Sequence, residues 1–304
     1  MTLLDALLRP SELAPAQSVG DWWQHQQQLL SPTRATADIA LLGGHRADRL
    51  AWAFASGYHA ALLRLLPDAP RNRRLALCVT ELGGAHPKGL NTTLWRDGEQ
   101  LRLRGEKSFV TLGSFAERLL IIASEGEDEA GRKRLRAVWV DAGAEGVEVE
   151  DLPAFPIVPE IPHALVRLQD APVSAQAVLP GDAWSQVVKP FRTVEDIHVN
   201  AALVGFLLNI GSQHRWPGSL IERLLSLALS LRALAEAPPE RPETHLALAG
   251  ALELARSLVG EADWSVVGED LRERWARDQA LLRVASKARE ARRAAAWEAV
   301  VHEE

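Results

Sequence analysis

Two adjacent glycines, Gly83 and Gly84, follow Thr80-Glu81 at the end of a short apolar run, Leu75 to Val79. Paired glycines allow backbone geometries that other residues resist, so main-chain N–H groups can turn toward one anionic ligand. The same pattern also serves a plain β-turn, and both readings stand at this point. A carboxylate pair, Glu195-Asp196, lies where a long apolar-faced segment begins. An acid in the first turn of a helix interacts favourably with the helix dipole. The histidines are scattered, with no His-x-x-x-His pair, and Cys78 is the one cysteine. That pattern supports no metal site and no disulfide framework.

The elements that must position these groups fall into three stretches: helices over 1–76, strands over 77–185 and helices again over 186–304. In the first, apolar residues at helical spacing predict helices over about 18–30 and 47–66, the latter ended by Pro67. Gly57 lies inside the second of these, where a glycine costs about 1 kcal/mol, so close helix packing is expected there. In the middle stretch, Asp97-Gly98 between alternating segments predicts a hairpin. The charged run from Glu125 to Arg134 predicts a solvated hairpin end, and prolines 153, 156, 159 and 162 predict extended chain. Short strands between turn signals point to a small barrel or sandwich. The last stretch predicts four helices, over about 192–211, 219–236, 243–259 and 270–300, with connections short enough for an up-down bundle. The basic residues of the fourth are expected to form a solvated face paired with preceding acids.

The chain has 304 residues, 47 % of them hydrophobic and 24 % charged, which is enough to build several units around shared cores. A net charge of −6 argues against nucleic acid as the main partner. No basic n-region and no long apolar run appears at the N-terminus, so neither signal peptide nor membrane span is expected, and a cytoplasmic location is.

The order of motifs in the middle stretch resembles the acyl-CoA dehydrogenase family. The matching pieces are Thr80-Glu81-Leu82-Gly83-Gly84-Ala85-His86-Pro87, Asn91-Thr92, Asp97-Gly98, Arg104-Gly105-Glu106-Lys107, Phe109-Val110-Thr111-Leu112-Gly113 and Asp170-Ala171-Pro172-Val173. The resemblance implies an α+β fold: a truncated N-terminal helical domain, a central β-barrel domain and a C-terminal four-helix bundle. It implies FAD held by Thr80, Gly83, Gly84, Phe109 and Thr111, with Phe109 in place of a stacking Trp. It implies α,β-dehydrogenation of an acyl-CoA or other acyl thioester, and assembly as a homo-oligomer, dimer or tetramer. Branches that carry their base on the first bundle helix place it at Glu195.

Three signatures depart from the pattern. A Gly-Ser-Asp loop end is replaced by Ala85-His86-Pro87. An Arg-x-x-Phe-Gly segment is replaced by His214-Arg215-Trp216-Pro217-Gly218. Asp263-Trp264-Ser265 stands near the place of a missing Tyr-Glu-Gly-Thr base loop. The resemblance therefore leaves two readings: a flavin-dependent oxidoreductase, and a binding or assembly subunit on the same fold that has lost FAD and base.

Overall fold

The computed structural model describes residues 2–11 and 15–301. Four helices open the chain: α1 (Leu3–Leu7), α2 (Val19–Gln27), α3 (Thr36–His45) and α4 (Leu50–Leu65). Seven strands follow: β1 (Leu75–Cys78), β2 (Thr93–Asp97), β3 (Gln100–Thr111), β4 (Arg118–Glu127), β5 (Lys133–Asp141), β6 (Val147–Asp151) and β7 (His163–Val173). The remainder is helical: α5 (Lys189–Gln213), α6 (Gly218–Leu234), α7 (Pro242–Glu261), α8 (Glu269–Asp278) and α9 (Ser286–Val301). This is the α+β architecture expected of an acyl-CoA dehydrogenase-like fold, with a curled sheet between helical stretches.

The chain forms two compact units. One comprises residues 1–71, 155–160 and 192–304; the other comprises 72–154 and 161–191.

In the β unit the strand order is β1-β4-β2-β3-β7-β6, with β5 added to β4. The Asp97-Gly98 signal makes the β2–β3 hairpin, with Asp97 opposite Gln100. β4 pairs in parallel with β1 along Arg118–Ile121 and touches β2 only at Ser124. The inward-facing residues, among them Cys78, Leu103, Leu119, Ile121, Val138, Val166 and Leu168, form one apolar core. Alternate residues of a strand face one side, so this core follows from the period-2 pattern. The charged run from Glu125 to Arg134 does turn the β4–β5 hairpin.

In the helical unit, α2 starts with a capping box in which Ser18 and Asp21 satisfy each other's backbone amides. Trp22 on α2 stacks on Trp52 of α4, and its indole N–H donates to Ser56 at 2.9 Å. α5 is buried almost all round over 200–211, as expected of a central helix. Gly57 explains itself here: a Cβ added at that position would lie 2.6 Å from the Val199 Cα of α5.

The expected fourth bundle helix is broken. A 3-10 segment, Gln279–Arg283, separates α8 from α9, and Ala285 adopts φ 63°. The break coincides with Asp278, whose fully buried carboxylate accepts the Val158 amide at 2.8 Å and holds Arg277 at 2.7 Å. Its basic residues also find partners other than the acids just before them. Arg274 pairs with Asp48, Arg277 with Glu160, and Arg289 and Arg292 with Asp196.

Among the described residues, no helix is long and apolar enough to cross a membrane, and no group of three or more His, Cys, Asp or Glu side chains could hold a metal.

Candidate functional site

Five of the six residues singled out in the sequence belong to the β unit. Thr80 follows β1, and its carbonyl accepts the Ser108 amide at 2.8 Å, so this segment runs beside the part of β3 that carries Phe109 and Thr111. The next four residues form a tight turn. Glu81 and Gly84 exchange backbone hydrogen bonds, Glu81 N to Gly84 O at 3.1 Å and Gly84 N to Glu81 O at 2.8 Å. Gly84 needs its missing side chain, because its φ is 97°. The turn leaves the Gly83 and Ala85 amides without an acceptor among the described residues, and a Cβ at Gly84 would meet open space. Of the two glycines, Gly84 is required by its backbone angle, and Gly83 contributes a free amide that any residue other than proline would carry.

A buried ion pair fixes this turn to β3. The Lys107 side chain is wholly inaccessible, and its Nζ donates to Glu81 Oε1 at 2.7 Å and to Val79 O at 3.2 Å. Glu81 also accepts the Asn91 amide at 2.6 Å, the Thr92 amide at 3.0 Å and the Thr92 hydroxyl at 2.8 Å. Burial pushes the Glu81 carboxyl up, but Lys107 and the two amides outweigh it, and the net displacement is downward. Burial pulls the Lys107 ammonium down, against the opposing hydrogen bond and charge of Glu81, and the two groups hold each other beneath the turn.

Beyond Lys107, β3 departs from regular pairing. Its register on β7 shifts between Lys107 and Val110. Phe109, inside that bulge, adopts φ 55° and is 51 % exposed; Leu112 adopts φ 57°. A left-handed conformation is uncommon for bulky residues and concentrates where surrounding structure imposes it, often at binding sites. The bulge turns Phe109 outward and turns Ser108 inward. Ser108 is 3 % exposed, and its hydroxyl has no hydrogen-bond partner among the described residues. Thr111 returns to the ladder opposite His163 and stays half-buried. Local sequence did not point to Ser108; the register shift is the signal that finds it. Together these residues offer unspent amides, an unspent hydroxyl and an exposed aromatic face, a set suited to a ligand with an anionic part and a flat ring. Cys78 takes no part: burial pushes its thiol up to about 12, which makes it a poor nucleophile.

Glu195, the sixth residue, stands on α5 in the helical unit. Its neighbour Asp196 is held by Arg289, at 2.7 Å, and by Arg292. Glu195 itself accepts no hydrogen bond among the described residues. Although part of its surface stays accessible, burial first and the Asp196 charge second push its carboxyl up to about 7, against the opposing pull of Arg289, Arg192 and Arg292. A carboxyl poised near neutrality is suited to taking and releasing a proton. Asp263 offers no such group. Its carboxylate caps a 3-10 turn, accepting the Ser265 amide at 2.9 Å and hydroxyl at 2.5 Å, and is pushed down by them. Trp264 beside it stacks on Trp275 with ring centres 4.1 Å apart.

Residues 76–171 match the model of the acyl-CoA dehydrogenase middle domain. The fold resembles that of the prolyl acyl carrier protein oxidase AnaB, with TM-score 0.68 and 17 % identity over 92 % of this chain and 90 % of that one. It also resembles FkbI, a protein for biosynthesis of a methoxymalonyl extender unit, with TM-score 0.67 and 17 % identity over 99 % of this chain and 98 % of that one. The FAD complex of PigA aligns with TM-score 0.67 and 15 % identity over 91 % of this chain and 88 % of that one. At such identities these likenesses are of fold. No curated protein matches the chain in sequence. Residues 76–171 thus read as an acyl-CoA dehydrogenase middle domain, and along nearly the whole chain the fold is similar to that of these structures.

Proposed function

We propose that the chain is a flavin-dependent oxidoreductase that dehydrogenates an acyl thioester at its α and β carbons. The observation that carries this reading is the set of unspent donors around the Gly-Gly turn and the β3 bulge, which fits an FAD. The free Gly83 and Ala85 amides suit a diphosphate, since consecutive main-chain N–H groups form anion-binding concavities. Open space at Gly84 lets such a group approach the backbone. The Thr80, Ser108 and Thr111 hydroxyls suit polar edges of the cofactor. The exposed Phe109 ring suits a flat face, with less area than a Trp and no N–H. Bound there, the flavin would supply a hydride acceptor. Glu195 would take the α proton on a carboxylate oxygen, which its unpaired state near neutrality favours. The Lys107–Glu81 pair holds the turn without contacting substrate.

A second reading has its own support. The His214–Gly218 segment buries Trp216 and sends its indole N–H to the Asp263 carbonyl at 3.1 Å, so the Trp that stands in this segment is spent on packing. That favours a binding or assembly subunit without flavin. In either reading a homo-oligomer would cover exposed apolar side chains of the bundle such as Trp297 and Val301.

Incubation with FAD, removal of the free dinucleotide and an absorbance spectrum separate the two. Retained flavin that bleaches anaerobically with an acyl thioester supports the oxidoreductase. A folded protein that retains none leaves the second reading.

A further inference from the structure

The helical unit has a small cavity between α2 and the junction of α3 with α4. Trp22, Gln26, Arg46, Asp48, Trp52 and Ser56 wall it, and its volume is about 10 Å³, room for the centre of one water-sized sphere. The indoles of the wall are spent within the protein. Trp22 donates to the Ser56 hydroxyl at 2.9 Å, and Trp52 donates to Ala16 O at 3.0 Å. Two other side chains are not fully used. Gln26 is 1 % exposed, yet neither its Oε1 nor its Nε2 has a hydrogen-bond partner among the described residues. Asp48 meets Arg49 at 2.7 Å and Arg274 at 3.7 Å through Oδ2, and its buried Oδ1 has no partner among the described residues. The backbone makes room for this arrangement. A Cβ added at Gly43, also on the wall, would lie 2.8 Å from Gln26 Oε1 and 2.6 Å from Ser56 Cβ.

Buried polar groups are hydrogen-bonded in folded proteins, to ordered water where the chain supplies no partner. The orphaned atoms select the ligand by their chemistry. The amide offers a donor and an acceptor, and the carboxylate offers a second acceptor, so the ligand must both accept and donate. A cation would stand against Arg46 and the amide N–H, and an anion would stand against Asp48. We infer that this cavity binds one ordered water, which accepts from Gln26 Nε2 and donates to Gln26 Oε1 and Asp48 Oδ1. Three hydrogen bonds are the usual complement of a buried water. The water ties α2 to the α3–α4 junction, where no direct bond joins Gln26 to Asp48. The site is independent of the oxidoreductase reading.

The test is a high-resolution crystal structure of the full chain, read with magnetic relaxation dispersion of water oxygen in solution, which detects waters held longer than the protein tumbles. The wild-type map should show one water within hydrogen-bond distance of Gln26 and Asp48. Gln26→Met fills the space with an unbranched apolar chain and gives a water nothing to bond. This variant should lose the equivalent of one long-lived water from the dispersion. Its folding equilibrium constant in urea titration should fall at least about fivefold, because bonds are lost and the Asp48 oxygen is stranded. A dry cavity predicts the opposite sign, since the substitution would then remove two orphaned groups and stabilise the chain. A more stable variant, an unchanged dispersion amplitude, or a wild-type map in which the Gln26 amide bonds protein groups alone would each overturn the inference. So would density that strengthens when the salt of the crystal is exchanged for a heavier one, which marks an ion. Should Gln26→Met not fold, the wild-type map decides by itself: a water bonded to both side chains supports the site, and its absence overturns it.

Discussion

Glu81 and Glu195 are carboxylates withdrawn from bulk water, one in each unit, and their surroundings act on them in opposite senses. Glu81 accepts four hydrogen bonds, one from a buried ammonium, and its carboxyl is held below its ordinary range. Glu195 accepts none. Arginines lie nearby, but Arg289 and Arg292 are engaged by Asp196, and the Glu195 carboxyl is pushed up to about 7. Burial pushes both up; at Glu81 the hydrogen-bond donors and the Lys107 charge outweigh it, and at Glu195 such donors are lacking. A buried acid that is fully paired is locked in one charge state and holds structure. A buried acid left unpaired beside a like charge is free to change its charge near neutral pH, which is what proton transfer needs.

The largest expected effect comes from breaking the paired side. Lys107→Met leaves Glu81 buried without its cation and should cost about 3–5 kcal/mol in urea unfolding of the β unit. Adding Glu81→Gln should recover part of that loss, because the uncompensated charge goes with it. The pH dependence has a definite sign. The folded Glu81 titrates below the ordinary carboxyl value of 4.5, so its contribution is present above that pH and lost as pH falls further. The Lys107→Met protein should lose most of this acid dependence. A cost under about 1 kcal/mol would mean that the pair does not anchor the turn.

Next in size is the unpaired side. Glu195→Gln preserves shape and removes basicity, so turnover on an acyl thioester should fall by about 10²-fold or more while flavin content is unchanged. In the wild type, kcat/KM should rise with pH to an inflection near 7, where the carboxyl ionises. Stability should move the other way. Because the folded pKa is raised, the contribution is full below the ordinary carboxyl value of 4.5 and is lost as pH rises through about 7. Turnover within a few fold of wild type would reduce Glu195 to a helix residue.

Asp196→Asn gives a smaller and more selective test. It removes the like charge that raises Glu195 and releases Arg289 and Arg292, so the kcat/KM inflection should move below 7. An unmoved inflection would mean that Asp196 serves packing alone. The smallest effect concerns Cys78, which is fully buried and whose thiol is pushed up to about 12. A thiol reagent should label it only when the β unit opens. Labelling of the Lys107→Met protein should be faster, in step with its lost stability.

Much of the architecture is written in neighbouring residues. Asp97-Gly98 specifies a hairpin because residues beside it in the chain make the turn. Ser18 and Asp21 start α2 through bonds three residues apart. The Gly83-Gly84 pair announces a backbone conformation that its own lack of side chains permits. The identities of Thr80, Phe109 and Thr111 could be matched to a family from their order alone. What no neighbouring pattern carried is which polar groups end up buried, and against what. Lys107 reads as one more charged residue after Gly105-Glu106, yet it is wholly inaccessible because Glu81, 26 residues earlier, is brought beneath it. Ser108 became an orphaned hydroxyl only through the register of β3 on β7. The run from Glu125 to Arg134 reads as a solvated hairpin end, and only folding decided that Lys133 would turn to backbone and amide oxygens while Arg134 stayed unpaired. Periodicity and turn chemistry depend on the few residues around each position, so they are legible in the chain. Desolvation and charge pairing depend on which distant side chains share a volume, and that is decided when the strands and helices pack.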